Sequence, residues 1–256
     1  MKKLTPENYF EPWARRNWLS SSDIKAFHRC EAAWMDARER LLRGEFTDEH
    51  RPEFTYGHIF ERLACGEKFS ISEEYPETVT RTGKLRSEFA NVEDAARKVR
   101  GNAFLRELID SCKKQVVMTG RIDDIPVRIM VDLLAPDGSI YDLKSMRNFA
   151  QVRTPEGDMV DWWDAWDYPM QLSVYREIAR QNGLDVPHVG LIAVSKTDLD
   201  VDAVEFGAPL MQAADADVSY TIQRLKLLSA RVEEPLHCGH CHYCVAHKSI
   251  RDFRIV

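Results

Sequence analysis

Three short runs between residues 115 and 146 restrict the fold more than any other part of the chain. QVVMTGRI, PVRIMVDLLA and SIYDLKSM are β-branched or alternating, and Asp123-Asp124 and Pro136-Asp137-Gly138 separate them. Runs of this kind divided by turn residues predict an antiparallel meander. If Pro136-Asp137-Gly138 is a three-residue loop with Gly138 in the left-handed position, Ala135 pairs with Ser139 and Asp132 lies opposite Asp142. Residues two apart on a strand share a face, so Asp142 and Lys144 project together.

Two carboxylates across a ladder sit about 5 Å apart at Cβ and repel each other unless a cation lies between them. A hard cation that prefers oxygen ligands, Mg2+ or Mn2+, suits such a pair, and Lys144 beside it can orient water or stabilise phosphoryl charge. A sheet end with incidental charges accounts for the same residues. The Asp-x-Lys pattern also recurs at Asp23-Ile24-Lys25, which a helix N-terminal cap explains.

Around the meander the periodicity is helical. WLSSSDIKAFHRCEAAWMDARERLL predicts one helix, with Ile24, Phe27, Trp34 and Leu41 on one face. FTYGHIFERLACGE and the segment from Val92 to Cys112 predict further helices. PMQLSVYREIARQNG predicts a helix stopped at Asn182-Gly183, the apolar HVGLIAVSK a strand, and Ala214 to Leu228 a last helix. The expectation is one α/β domain over residues 1–256. Residues 1–115 are mainly helical, 116–200 hold the sheet and a helix packed on it, and 201–256 hold a helix and a Cys-rich tail.

No linker, membrane-length run or apolar leader segment is visible, which points to a cytoplasmic protein. A net charge of -6 argues against indiscriminate coating of nucleic acid. A local groove remains open, because residues 81–114 carry nine basic against five acidic side chains. Those charges equally suit a solvated helical face. Arg147 and Arg153, just past Lys144, read either as phosphate contacts or as exposed loop arginines. DWWDAWDY, residues 161–168, reads either as a platform for bases or as core and edge packing.

The tail HCGHCHYCVAH spaces Cys238, Cys241 and Cys244 as C-x2-C-x2-C, a dense thiolate set that signals metal in a reducing compartment. Zinc would take His247 as a local fourth ligand. An iron–sulfur cluster would need a fourth thiolate, for which Cys30 is available. Cys65 and Cys112 read as small core residues.

The ordered set Gly57-x-x-x-Glu61, Asp132, Asp142-Leu143-Lys144 and Gln171-x-x-x-Tyr175 resembles the PD-(D/E)XK nuclease superfamily. The similar branch holds lambda exonuclease, RecE-type exonuclease VIII and RecB-type nuclease domains, and phage exonucleases share the opening stretch Leu4 to Phe10. The resemblance implies a restriction-endonuclease-like α/β core with a mixed central sheet flanked by helices. It makes Glu61, Asp132, Asp142 and the Leu143 carbonyl ligands of Mg2+ or Mn2+, Lys144 the catalytic lysine, and Gln171 and Tyr175 supporting residues. It further implies that Cys30, Cys238, Cys241 and Cys244 hold a [4Fe-4S] cluster, with zinc the alternative, to pin the chain ends together.

The implied activity is resection of linear double-stranded DNA, 5′ to 3′, for phage-type recombination. A single-strand annealing partner and a ring-shaped homo-oligomer come from the same source. The alternatives are a non-catalytic, metal-stabilised DNA-binding or assembly module of this fold and a structure-specific endonuclease.

Overall fold

A computed structural model describes residues 3–45, 52–155 and 157–249. Among these residues the first α-helices are α1 (Pro12–Asn17), α2 (Ser21–Arg29), α3 (Glu31–Arg43), α4 (Pro52–Ala64), α5 (Ile71–Glu74), α6 (Val92–Gly101) and α7 (Ala103–Ser111). The meander follows as β1 (Lys113–Ile122), β2 (Ile125–Leu134) and β3 (Ile140–Met146). After a small hairpin of β4 (Val152–Arg153) and β5 (Met159–Val160) come α8 (Trp162–Ala165), α9 (Tyr168–Gln181), β6 (Val189–Ser195), β7 (Val201–Glu205), α10 (Ala208–Ser229) and α11 (His242–Ala246).

The main sheet runs β1-β2-β3-β6-β7. Only β3 and β6 are parallel, joined through the long connection that holds α9, so the sheet is mixed as expected. Every residue of β6 is buried, which suits a strand covered on both faces. On one side α9 and α10 pack Ile178, Leu172 and Ile222 against Val127, Ile129 and Leu191. On the other, α4, α6 and α7 set Ile59, Phe60, Val99 and Ile109 against Leu133, Leu143 and Ile192. A side chain such as Ile178, with no exposed surface, contributes about 2–3 kcal/mol by leaving water.

The hairpin between β2 and β3 has the expected register. Leu134 pairs with Ile140 and Leu133 with Tyr141, and the Ala135 N–H donates to the Ser139 carbonyl at 2.9 Å. Gly138 adopts φ +91°, and an added Cβ would lie 2.1 Å from the Asp185 carbonyl oxygen. Only glycine therefore closes this turn against the segment after α9.

One predicted helix is two. The backbone breaks at Cys30 (φ −162°, ψ 102°), which ends α2 and begins α3. The apolar face continues across the break, so periodicity does not reveal it. The first part starts as expected, because Ser20 and Asp23 form a capping box. Strand β7 was not anticipated; VDAVE is a half-exposed edge strand that carries two acidic residues.

Candidate active site

Strand β2 changes face where it reaches Asp132. Val127, Ile129 and Val131 share a core with Leu134, whereas Leu133 joins the opposite core. Strict alternation would have kept Leu134 away from the three valine and isoleucine positions. In β1 the ladder lapses at the same level: Lys114 pairs with Leu133 and Val116 with Val131, and Gln115 between them has φ +49°. The β2–β3 ladder also stops short of Asp132, whose Oδ2 accepts the Leu143 N–H at 2.9 Å in place of a backbone carbonyl. The carboxylate thus stands in the sheet, opposite Asp142 by register.

Four groups from three elements meet there. Asp132 and Asp142 are 9% and 1% exposed. Lys144 forms an ion pair with Asp142 Oδ2, an atom that is otherwise buried without a hydrogen bond. Glu61, in the last turn of α4, accepts from Gln115 Nε2 at 3.0 Å. Burial pushes the Asp132 carboxyl well above its ordinary pKa, and the charges of Asp142 and Glu61 add to the rise. Burial raises Glu61 too, against the pull of its Gln115 hydrogen bond and of Lys144. For Lys144, burial disfavours the ammonium, but Asp142 and then Asp132 outweigh it and hold the pKa above the usual lysine value.

Gln171 and Tyr175 lie one turn apart on α9 and both face these groups. Gln171 Nε2 donates to Asp142 Oδ1 at 2.7 Å. Tyr175 is 7% exposed; burial, then the charge of Asp142, drives its hydroxyl pKa up. The two arginines stand outside this group. Arg147 and Arg153 are exposed, and Arg153 Nε donates to the Gly157 carbonyl within the β4–β5 hairpin at 3.2 Å.

Three contributors escaped the sequence reading. Gln115 was hidden because nothing local tells that a strand glutamine turns to meet a helix glutamate. Tyr168 was read only as part of an aromatic run, yet its ring lies 4.9 Å from Lys25 Nζ and 5.4 Å from Lys144 Nζ. Lys25 belongs to the triplet that a helix cap explains. Asp23 does cap, but Lys25 Nζ reaches Gln171 Oε1 at 3.0 Å and the Trp166 carbonyl at 3.2 Å. Burial and the nearby Lys144 charge lower its pKa to about 8. The tryptophans of the run divide: Trp162 is buried, Trp163 packs on Phe206, and Trp166 is 46% exposed with Arg29 over its ring. The basic island is partly consumed by internal pairs, Arg97 with Asp94 and Arg100 with Asp110.

A second cluster lies at the chain ends. Cys30, Cys238, Cys241 and Cys244 bring their sulfurs within 4.8 Å of one another, while Glu61, Asp132 and Asp142 form no set that tight. Individual separations are 3.5 Å for Cys30 to Cys244, 3.7 Å for Cys241 to Cys30 and 3.9 Å for Cys238 to Cys244. Burial pushes the Cys238 thiol up, but N–H groups of Cys241 and His240 and the neighbouring thiols outweigh it and bring it down to about 6. His247, the local zinc alternative, is engaged elsewhere: Nδ1 meets the Tyr243 carbonyl at 2.9 Å, and Cys30 completes the set. Next to Cys30, buried Glu31 takes Arg224 in two 2.8 Å bonds and the Leu236 N–H in a third. Cys65 and Cys112 border the core of α4, α6 and α7, as expected.

The family described as "PDDEXK-like domain of unknown function (DUF3799)" matches residues 20–247. No curated protein matches the sequence. A crystal structure of a "Putative exonuclease" from Eubacterium rectale superposes with a TM-score of 0.83 at 24% identity, covering 100% of this chain and 97% of that one. The structure named SSO0001 gives a TM-score of 0.32 at 12% identity over 68% of this chain and 86% of its own. Among the described residues no helix is long and apolar enough to cross a membrane.

Proposed function

The chain belongs to the PDDEXK-like family that matches nearly its whole length, and from that premise we propose that it is a metal-dependent nuclease acting on DNA. The observation that carries this reading is a buried anionic pocket with a paired lysine. Asp132 and Glu61 are held above their ordinary pKa beside Asp142, against the opposing charge of Lys144. A divalent cation fits this donor set, which is all oxygen and under mutual repulsion. Glu61, Asp132, Asp142 and the Leu143 carbonyl would hold Mg2+ or Mn2+. When bound, such an ion supplies Lewis-acid stabilisation of phosphoryl charge and acidifies bound water.

The chain's own residues do the rest. Asp142 and Asp132 keep Lys144 protonated, so it can donate to a phosphate oxygen or orient the attacking water. Gln171 fixes one oxygen of Asp142, and Tyr175, one turn further along α9, is buried within reach of the same charge. Exposed Arg147 and Arg153, beyond the end of β3, meet the phosphate backbone.

The finer reading is an exodeoxyribonuclease that resects linear duplex ends, 5′ to 3′, for phage-type recombination, as a ring with an annealing partner. It rests on the motif resemblance. The test incubates linear and closed circular duplex with Mg2+, with Lys144→Ala as control. Loss of the linear form alone, absent in the variant, is the expected result. If neither substrate is cut, the enzyme reading fails; if circles are cut, the exonuclease reading fails.

The four cysteines would hold a structural metal that ties the N-terminal helices to the tail. Three of the sulfur pairs lie 3.5–3.9 Å apart, close to the edge of a tetrahedron built on zinc–sulfur bonds of about 2.3 Å, and all four sulfurs lie within 4.8 Å of one another. That spacing is nearer to a single zinc ion than to a [4Fe-4S] cluster, which would draw on the same four thiolates.

A further inference from the structure

A glutamine amide has an acceptor end and a donor end of nearly the same shape, so something must decide which way it points. For Gln171 the decision matters. Nε2 donates to Asp142 Oδ1 at 2.7 Å, which leaves Oδ2 of the same carboxylate to Lys144. With the amide reversed, a carbonyl oxygen would face that carboxylate at hydrogen-bond range, and the carboxylate would have to turn away.

The group at the other end of the amide is Lys25, whose Nζ donates to Gln171 Oε1 at 3.0 Å. An ammonium has donors only. It accepts one orientation of the amide, oxygen inward, and repels the other. Lys25 is itself held in place. Its Nζ also donates to the Trp166 carbonyl at 3.2 Å and lies 4.9 Å from the centre of the Tyr168 ring. Helix α2 carries it between a capping box at Ser20 and the break at Cys30, and Arg29, one turn further along, ties the helix to Asp167 at 2.6 Å.

We propose that Lys25 is a positioning residue of the site: it sets the direction of the Gln171 amide, and through it the orientation of the Asp142 carboxylate. The activity arm of the test rests on the nuclease reading above; the metal-binding arm rests only on the cation site proposed there and not on DNA cleavage. A purely structural tie between α2 and α9 would lower stability without touching the site. A lysine that meets DNA directly would act independently of Gln171.

A double-mutant cycle separates these roles. Lys25→Met, Gln171→Leu, the double variant and Lys25→Arg are compared for Mn2+ affinity by calorimetry, and for kcat and KM on linear duplex. Each single change is expected to weaken Mn2+ binding and kcat by about 10-fold, the lower end of what second-sphere partners contribute, with KM for DNA unchanged. The double variant should be no worse than Gln171→Leu, and Lys25→Arg should restore most of the loss, since it keeps a cationic donor. Additive losses, a change confined to KM, or unaltered Mn2+ affinity in Lys25→Met would overturn the proposal. Should Lys25→Met not fold, Lys25→Ala in the same cycle carries the comparison. If the wild type cuts no DNA, the nuclease reading falls while the Mn2+ cycle still decides the role of Lys25.

Discussion

Replacing Asp132 with Asn should make the metal-free protein more stable while destroying its proposed activity. Asp132 is 9% exposed and stands beside Asp142 and Glu61, and its carboxyl is held well above the ordinary pKa by burial first and by those two charges next. A carboxyl whose pKa is higher folded than unfolded binds its proton more tightly in the native state. Its contribution is therefore fully present below the unfolded pKa. It is lost as pH rises towards the folded pKa, at about 1.4 kcal/mol per pH unit. Glu61 is raised in the same direction, so removing the Asp132 charge also relieves its neighbour.

Asparagine preserves the one hydrogen bond at stake, because its carbonyl can accept the Leu143 N–H as Asp132 Oδ2 does at 2.9 Å. For a chain of this size each kcal/mol relieved corresponds to about 2–4 °C in Tm. Melting curves in EDTA at pH 8 should place Asp132→Asn above wild type by several degrees, and the gap should narrow at pH 4.5 as the wild-type carboxyls take up protons. Mg2+ or Mn2+ should raise the wild-type Tm and leave the variant where it is. A variant that melts below wild type at pH 8, or a gap indifferent to pH, would refute the account of Asp132 as a charge stored for a cation.

Gly138→Ala puts a Cβ 2.1 Å from the Asp185 carbonyl oxygen in a turn with φ +91°, so we expect a loss of about 2 kcal/mol or more in denaturant unfolding, and weaker Mn2+ binding because the turn sets the register of Asp132 against Asp142. Glu31→Ala removes both 2.8 Å bonds to Arg224 and the acceptor of the Leu236 N–H, leaving Arg224 its ion pair with Glu233, and should lower stability in the same assay, with faster reaction of the Cys238 thiol towards a maleimide. For the tail, an anaerobic preparation should contain stoichiometric zinc and be colourless; a brown protein absorbing near 400 nm, as iron–sulfur clusters do, would instead establish the [4Fe-4S] cluster.

What could be read from the sequence was whatever local chemistry determines. Pro136-Asp137-Gly138 dictates its own loop, and that loop sets the register of two strands without reference to anything else. Asn182-Gly183 stops α9 for a comparable reason, since Gly183 takes the left-handed φ of +83°. The break at Cys30 was not readable because Ile24, Phe27, Trp34 and Leu41 keep their spacing through it. Only the position of three cysteines 208 or more residues later gives the kink a purpose, bringing the Cys30 sulfur to 3.5 Å from that of Cys244. The turn of β2 at Asp132 was hidden in the same way. A period of two was assumed along the strand, yet Val131 and Leu134 share a core. The pattern fails where the carboxylate replaces a backbone partner, and a departure from local rules at such a place is what a functional site produces.

The two Asp-x-Lys triplets show how far such reasoning reaches. On a strand, residues two apart project together, so Asp142 and Lys144 form an ion pair and their pairing is foreseeable from the sequence. On a helix the same separation turns the side chains about 200° apart. Asp23 therefore folds back to the Ser20 N–H at 2.8 Å, while Lys25 is sent the other way, across to Gln171. Helical periodicity accounts for that divergence, which keeps Asp23 and Lys25 off a common face. It cannot say what Lys25 meets, because Gln171 lies 146 residues away. The lysine of the discounted triplet ends two hydrogen bonds, of 3.0 and 2.7 Å, from the aspartate of the other. Each triplet thus places its lysine on Asp142, the strand copy directly and the helix copy through the Gln171 amide. A change at Lys25 should accordingly register in the site even though the helix it sits on contributes no carboxylate to it.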